Sequence, residues 1–129
     1  MSDGTRHDDV LTIQTIQRIN VERANRWHDG DFRQWSGLEW AGAMCGEAGE
    51  SANLAKKLRR CELELDGNRF SDRKPACVEA LVAELAHECA DTFLYLTLLA
   101  ARYDIDLATA VRDRFNAKSE EMGFPERLP

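Results

Sequence analysis

Apolar residues recur along most of the chain at the three- and four-residue intervals of an α-helix. The first such run consists of Val10, Ile13, Ile16, Ile19 and Val21. It predicts a helix over Val10–Trp27, with Asp8 and Asp9 available as an acidic start. The following residues, up to Ser36, mix aromatic side chains with turn formers and predict an ordered loop.

A second helix is indicated by a capping box, in which Ser36 and Glu39 each satisfy a backbone donor at the helix start. This helix is predicted to run over Gly37–Arg60, with basic residues in its last turn, where the helix dipole is negative. The polar, breaker-containing segment Cys61–Pro75 then predicts a mobile loop.

The third helix is predicted over Ala76–Tyr103, where breakers are few and leucine, alanine, valine and phenylalanine are dense. Its second half is apolar almost all the way round, so it must be covered on more than one side. In so short a chain this predicts a homodimer or homotetramer.

A fourth helix is predicted over Leu107–Met122, capped by Asp104 or Asp106 and terminated by Gly123 and Pro125. The fold class that follows is all-α. The simplest arrangement is a four-helix bundle, completed by oligomerisation.

Length and composition limit the functional classes. The chain has 129 residues, the size of one domain, in which residues 1–9 form a polar tail. Its net charge of −6 argues against a nucleic-acid partner, which needs a basic face. We find no signal peptide and no apolar run long enough for a membrane span, so we expect a cytoplasmic protein without a membrane partner.

The cysteines are too widely spaced for the paired Cys-x-x-Cys of a zinc site. We expect them to be reduced and mostly buried. They are Cys45, Cys61, Cys77 and Cys89.

Two pairs of acidic residues carry the candidate chemistry. Glu47 and Glu50 are three residues apart on the second helix, and Glu88 and Asp91 are three apart on the third, so each pair shares a helix face. Their neighbours are small or apolar, and acids in such surroundings need a partner. Four carboxylates suit a hard divalent cation such as Mg²⁺, which would relieve their mutual repulsion.

Two alternatives stay open. Surface helices carry acids at this spacing by chance, and the chain would then be a non-catalytic dimerisation or regulatory module. Glu84 and His87 also form a Glu-x-x-His pair of the kind that binds iron in di-iron carboxylate bundles. That pair lacks a second copy, because Asn25 rather than an acid precedes His28 by three residues.

The order of these motifs resembles a known family. The stretches Gly-Glu-Ala-Gly-Glu at 46–50, Ala-Asn-Leu-Ala-Lys-Lys-Leu at 52–58 and Glu-Leu-Ala-His-Glu-Cys-Ala-Asp-Thr-Phe-Leu-Tyr-Leu at 84–96 resemble the MazG-like all-alpha nucleoside triphosphate pyrophosphohydrolases. The family signature is Glu-x-x-Glu, a spacer and Glu-x-x-Asp. The resemblance covers roughly residues 18 to 128, with His87 in place of a frequent glutamate and a longer spacer than in compact members.

The resemblance implies hydrolysis of a nucleoside triphosphate to the monophosphate and pyrophosphate, as nucleotide-pool house-cleaning. It also implies that the four acids hold Mg²⁺, with Mn²⁺ as a possible substitute, and are the catalytic residues. Its dCTP pyrophosphatase branch places aromatic residues against the base, for which Trp27 and Trp40 are the weaker candidates here. By this resemblance the substrate-binding candidates are His28, Trp35, Tyr95, Arg112 and Asn116. Helical spacing adds Lys57, which follows Glu50 by seven positions on the same face.

Overall fold

The computed structural model of the protein describes residues 10–65 and 75–129. Within these two ranges the chain forms four α-helices and no strand, which confirms the all-α prediction. The helices are α1 (Ile13–Trp27), α2 (Gly37–Leu65), α3 (Pro75–Arg102) and α4 (Leu107–Met122), with a short 3-10 helix, Phe32–Gln34, between α1 and α2.

The start of α1 differs from the prediction. The helix begins at Ile13 rather than Val10, because the Thr12 hydroxyl accepts a hydrogen bond from the backbone N–H of Thr15 (3.0 Å) and caps it. Val10 therefore precedes the helix as an exposed residue. The proposed acidic start, at positions 8 and 9, lies outside the described residues.

The end of α2 also differs. The helix continues to Leu65, five residues past the predicted Arg60. The added turn holds no glycine or proline, and Cys61 is 4% exposed, so burial favours helix here over the predicted loop. The Cys61–Pro75 loop prediction is thus wrong over its first five residues, and residues 66–74 lie outside the described part.

The predictions for the last two helices are close to the structure. Helix α3 begins and ends one residue earlier than predicted. Helix α4 has the predicted bounds, and Asp106 caps it by accepting from the backbone N–H (3.3 Å) and the hydroxyl (2.9 Å) of Thr109. Gly123 ends it with a φ of 70°, the left-handed conformation that glycine adopts without strain.

The chain divides into two compact units. Residues 10–37 and 97–129 form the terminal unit, and residues 38–65 and 75–96 form the hairpin unit. The single-domain interpretation of the chain length stays a prediction.

A buried glutamine organises the terminal unit. The Gln17 side-chain amide donates to the backbone carbonyls of Thr97 (3.2 Å) and Ile105 (2.9 Å), and its carbonyl accepts from the backbone N–H of Leu107 (3.2 Å). These bonds tie α1 to the start of α4. At Gly37, the first residue of α2, an added Cβ would overlap the ring and hydroxyl of Tyr103.

The hairpin unit contains most of α2 packed against α3. The rings of Trp40 and Tyr95 lie 6.1 Å apart, and carboxylate oxygens of Glu47 and Glu88 lie within 4.8 Å of each other. Trp40 precedes Glu47 by seven residues on α2, whereas Tyr95 follows Glu88 by seven residues on α3. The two helices therefore run antiparallel.

Exposure along the helices qualifies two predictions. The first is the prediction that the apolar second half of α3 is covered: none of residues 92–102 is exposed. The exposed apolar side chains of the hairpin unit lie elsewhere, at Leu38 (82%) and Val82 (50%). The described cysteines are free, as expected, but only Cys61 is buried. The prediction of burial is wrong for Cys45 and Cys89, which lie on outward helix faces, and the side chain at position 77 lies outside the described part.

Within residues 10–65 and 75–129, no helix combines the length and hydropathy needed to cross a bilayer.

Candidate metal centre

Polar residues interrupt the apolar stripe along which α2 and α3 pack. Covered positions at three- and four-residue spacing on α2 are Trp40, Met44, Glu47, Ser51, Leu54, Leu58 and Cys61. Those on α3 are Val78, Leu81, Leu85, Glu88, Thr92 and Tyr95. The middle of each stripe thus carries a glutamate followed four residues later by a hydroxyl, where packing alone would favour apolar side chains.

Three carboxylates converge at this interruption. One oxygen each of Glu47, Glu88 and Asp91 lies within 4.8 Å of the others. Glu47 and Glu88 are half-buried between the helices, and Asp91 is exposed at the edge. This spacing is compatible with a single cation contacting all three groups.

One oxygen of the cluster has no hydrogen-bond partner. The Oε2 atom of Glu88 is buried and accepts no hydrogen bond from the residues that the structure describes. A buried acceptor in this condition costs free energy unless a proton, a water molecule or a cation satisfies it. The unpartnered oxygen therefore favours an arrangement built to receive a positive group.

The electrostatics agree with the geometry. The pKa of Glu47 is raised above its usual value, first because its protonated form hydrogen-bonds to Glu88, then because burial and the charges of Glu88, Asp91 and Glu50 disfavour its ionised form. A cation in the cluster would act in the opposite direction and favour the ionised form of every carboxylate.

Glu50 occupies a different position from the other three predicted ligands. It is exposed, and its oxygens are not in the converging group, although its charge is close enough to raise the pKa of Glu47. The structure thus brings together three of the four predicted acids.

Two hydroxyl side chains in the stripe were not predicted from the sequence as site residues. Ser51 Oγ donates to the backbone carbonyl of Glu47 (3.1 Å), and Thr92 Oγ1 donates to that of Glu88 (2.7 Å). The available signal was the repeat of serine or threonine directly after the second acid of each pair.

Two other predicted site residues belong to the hairpin unit. Tyr95 is half-buried with its ring against Trp40. Lys57 is exposed on α2.

The remaining predicted substrate-binding residues belong to the terminal unit. The rings of His28 and Trp35 meet edge to face, with centroids 5.1 Å apart. Trp27 is 75% exposed, with the Arg23 guanidinium 5.6 Å from its ring centre. These aromatic groups could stack on a planar ligand.

The two polar candidates on α4 have partners within the chain. Arg112 donates to the carboxylate of Asp113 (3.0 Å). The Asn116 side chain donates to the backbone carbonyl of Leu128 (3.0 Å) and accepts from its N–H (2.7 Å). Asn116 thus holds the C-terminal segment, a role that its sequence position did not indicate.

The Glu-x-x-His pair considered for di-iron chemistry is separate from the cluster. Glu84 and His87 are both exposed on α3. Among the described residues, the group able to hold a metal contains neither of them.

Comparison of the chain with family models, curated proteins and solved structures finds no match. The resemblance to the MazG-like family therefore stays a prediction.

Proposed function

We propose that the chain is a magnesium-dependent nucleoside triphosphate pyrophosphohydrolase that acts in the cytoplasm. The observation that carries the proposal is the convergence of Glu47, Glu88 and Asp91 around a buried carboxylate oxygen without a partner. The order of the acidic motifs supports the choice of reaction.

The donor set fits Mg²⁺. All three groups offer oxygen, which hard cations prefer, and the set holds no imidazole or thiolate that would favour zinc. Glu50, one turn away on α2, supplies further negative potential and is the fourth ligand in the proposal. A bound Mg²⁺ supplies charge neutralisation at the phosphates and lowers the pKa of water that it holds.

The chain's own residues have distinct roles in the proposal. Glu47 or Glu50 accepts the proton of the water that attacks the phosphate. Lys57, on the same helix as Glu47 and Glu50, balances charge on the leaving pyrophosphate. Arg112 stays a predicted substrate-binding residue of the terminal unit. His28 and Trp35, whose rings contact each other in the terminal unit, stay predicted base-binding residues. Tyr95 stays a predicted substrate-binding residue of the hairpin unit.

The test is a panel of nucleoside triphosphates incubated with the protein and Mg²⁺, with products separated by ion-exchange chromatography. We expect monophosphate and pyrophosphate in equal amounts, lost in Glu88→Gln and Asp91→Asn and retained in Glu84→Gln, whose parent acid is exposed outside the cluster. Release of single phosphate, or full turnover by Glu88→Gln, would contradict the proposal.

The bundle is completed by a second copy of the chain in this proposal. Few of the large side chains described in the hairpin unit are fully buried, whereas Leu38, Leu63 and Val82 are exposed. Two packed helices leave outer faces that another helix pair could cover. Light scattering after size exclusion should give at least twice the monomer mass, and a monomer at micromolar concentration would contradict this part.

The same exposed apolar residues favour a second candidate, a non-catalytic helical dimerisation module. Calorimetric titration with Mg²⁺ separates the two. The enzyme should bind Mg²⁺ saturably and lose that binding in Glu88→Gln, whereas the module should show no such binding.

A further inference from the structure

The hydroxyls of Ser51 and Thr92 occupy equivalent places in the two halves of the acidic cluster. Each follows by four residues the glutamate that its helix contributes, so each lies one turn along on the same face. Each donates its single proton to the backbone carbonyl of that glutamate. Ser51 and Thr92 thus share the kind of hydrogen-bond partner, the four-residue spacing and partial burial.

The antiparallel packing puts these hydroxyls on opposite sides of the carboxylates. Ser51 lies one turn beyond Glu47 toward the end of α2, and Thr92 lies one turn beyond Glu88 in the opposite direction. Helical side chains lean toward the N-terminus of their own helix, so both lean back toward the acids. The cluster is thus flanked by a hydroxyl at each end.

The hydrogen bonds fix what these hydroxyls can offer to a ligand. A hydroxyl has one proton and two acceptor lone pairs, and here the proton is committed to a carbonyl. In this arrangement Ser51 and Thr92 offer the cluster their acceptor lone pairs. Magnesium dehydrates reluctantly and usually keeps several water molecules, which are hydrogen-bond donors.

We infer that Ser51 and Thr92 are positioning residues that accept hydrogen bonds from the water retained by a magnesium ion held at Glu47, Glu88 and Asp91. This inference rests on the proposed metal centre. The hydroxyls would act through that water rather than by direct contact, and would fix the orientation of the hydrated ion. A purely structural role, satisfaction of each hydroxyl by its own helix, needs no ion.

The test measures Mg²⁺ affinity by isothermal titration calorimetry on the full chain without nucleotide. The variants are Thr92→Val, which nearly keeps the volume and removes the hydroxyl, Thr92→Ser, which keeps the hydroxyl, and Ser51→Ala. We expect Mg²⁺ to bind about tenfold or more weakly to Thr92→Val and to Ser51→Ala, as is typical of lost outer contacts at metal sites. Thr92→Ser should bind almost as the parent chain does, and urea unfolding without Mg²⁺ should show all four proteins folded.

The outcomes separate this inference from the proposed function. If the parent chain binds Mg²⁺ and Glu88→Gln does not, but Thr92→Val keeps the parent affinity, the inference is wrong while the metal centre stands. If Thr92→Ser weakens binding as much as Thr92→Val does, the hydroxyl is not the cause and the inference is also wrong. Absence of saturable binding to the folded parent chain would overturn both.

Discussion

Replacing Glu88 by glutamine should raise the stability of the metal-free protein and abolish its stabilisation by Mg²⁺. At 4.8 Å, the separation within which the cluster oxygens lie, two unit charges repel by about 0.9 kcal/mol in water and about 3.5 kcal/mol at an effective dielectric constant of about 20. Because Asp91 is exposed, we expect a gain in the free energy of unfolding near the lower figure, about 1 kcal/mol. In the variant, the glutamine amide can also donate a hydrogen bond to the Glu47 carboxylate, whereas in the parent chain two carboxyl groups face each other.

Mg²⁺ should reverse this order of stability. At a free concentration one hundred times its dissociation constant, a ligand that binds only the folded state stabilises it by about 2.7 kcal/mol. The parent chain should gain this amount and Glu88→Gln should gain nothing. Urea unfolding followed by helical circular dichroism, with and without Mg²⁺, measures both differences, and Glu84→Gln is the matched control on the same helix. A variant that is less stable without metal and still gains stability from Mg²⁺ would refute the reasoning.

Three further predictions concern the terminal unit. Gln17→Leu should lower the free energy of unfolding by roughly 3 kcal/mol in urea titrations, because it removes the side-chain hydrogen bonds to the Ile105 carbonyl and the Leu107 N–H, whereas the exposed Gln14→Leu should change it little. Hydrogen bonds from the hydroxyl and backbone N–H of Thr109 lower the pKa of Asp106 below 3.8. The contribution of Asp106 to stability is therefore complete above that pH, and it is lost as the pH falls through the folded-state pKa. The slope of Tm against pH below about 4 should therefore be shallower in Asp106→Asn, and an unchanged slope would contradict this. Gly37→Ala should lower Tm in the parent chain and raise it in a Tyr103→Ala background, where the overlap is gone and the better helix propensity of alanine remains.

Local patterns were sufficient for much of the fold. Helix α4 has its predicted bounds because its signals, the Asp106 cap and Gly123, act within one turn of chain. The predicted end of α2 at Arg60 is wrong because no glycine or proline follows up to Leu65 and the side chain of Cys61 is buried, and burial cannot be read from local spacing. The predicted start of α1 at Val10 is wrong because the Thr12 side chain caps the helix, which begins at Ile13.

By itself, the sequence determined that the chain is helical and that each acidic pair shares one face, since helical spacing depends only on residues close in the chain. Only the tertiary structure decided which acids converge, because the register of α3 against α2 is a property of their packing. That packing brings Glu47, Glu88 and Asp91 together and leaves Glu50 exposed. It also buries the unpartnered oxygen of Glu88, and a buried acceptor cannot be read from spacing because burial depends on what the other helix contributes.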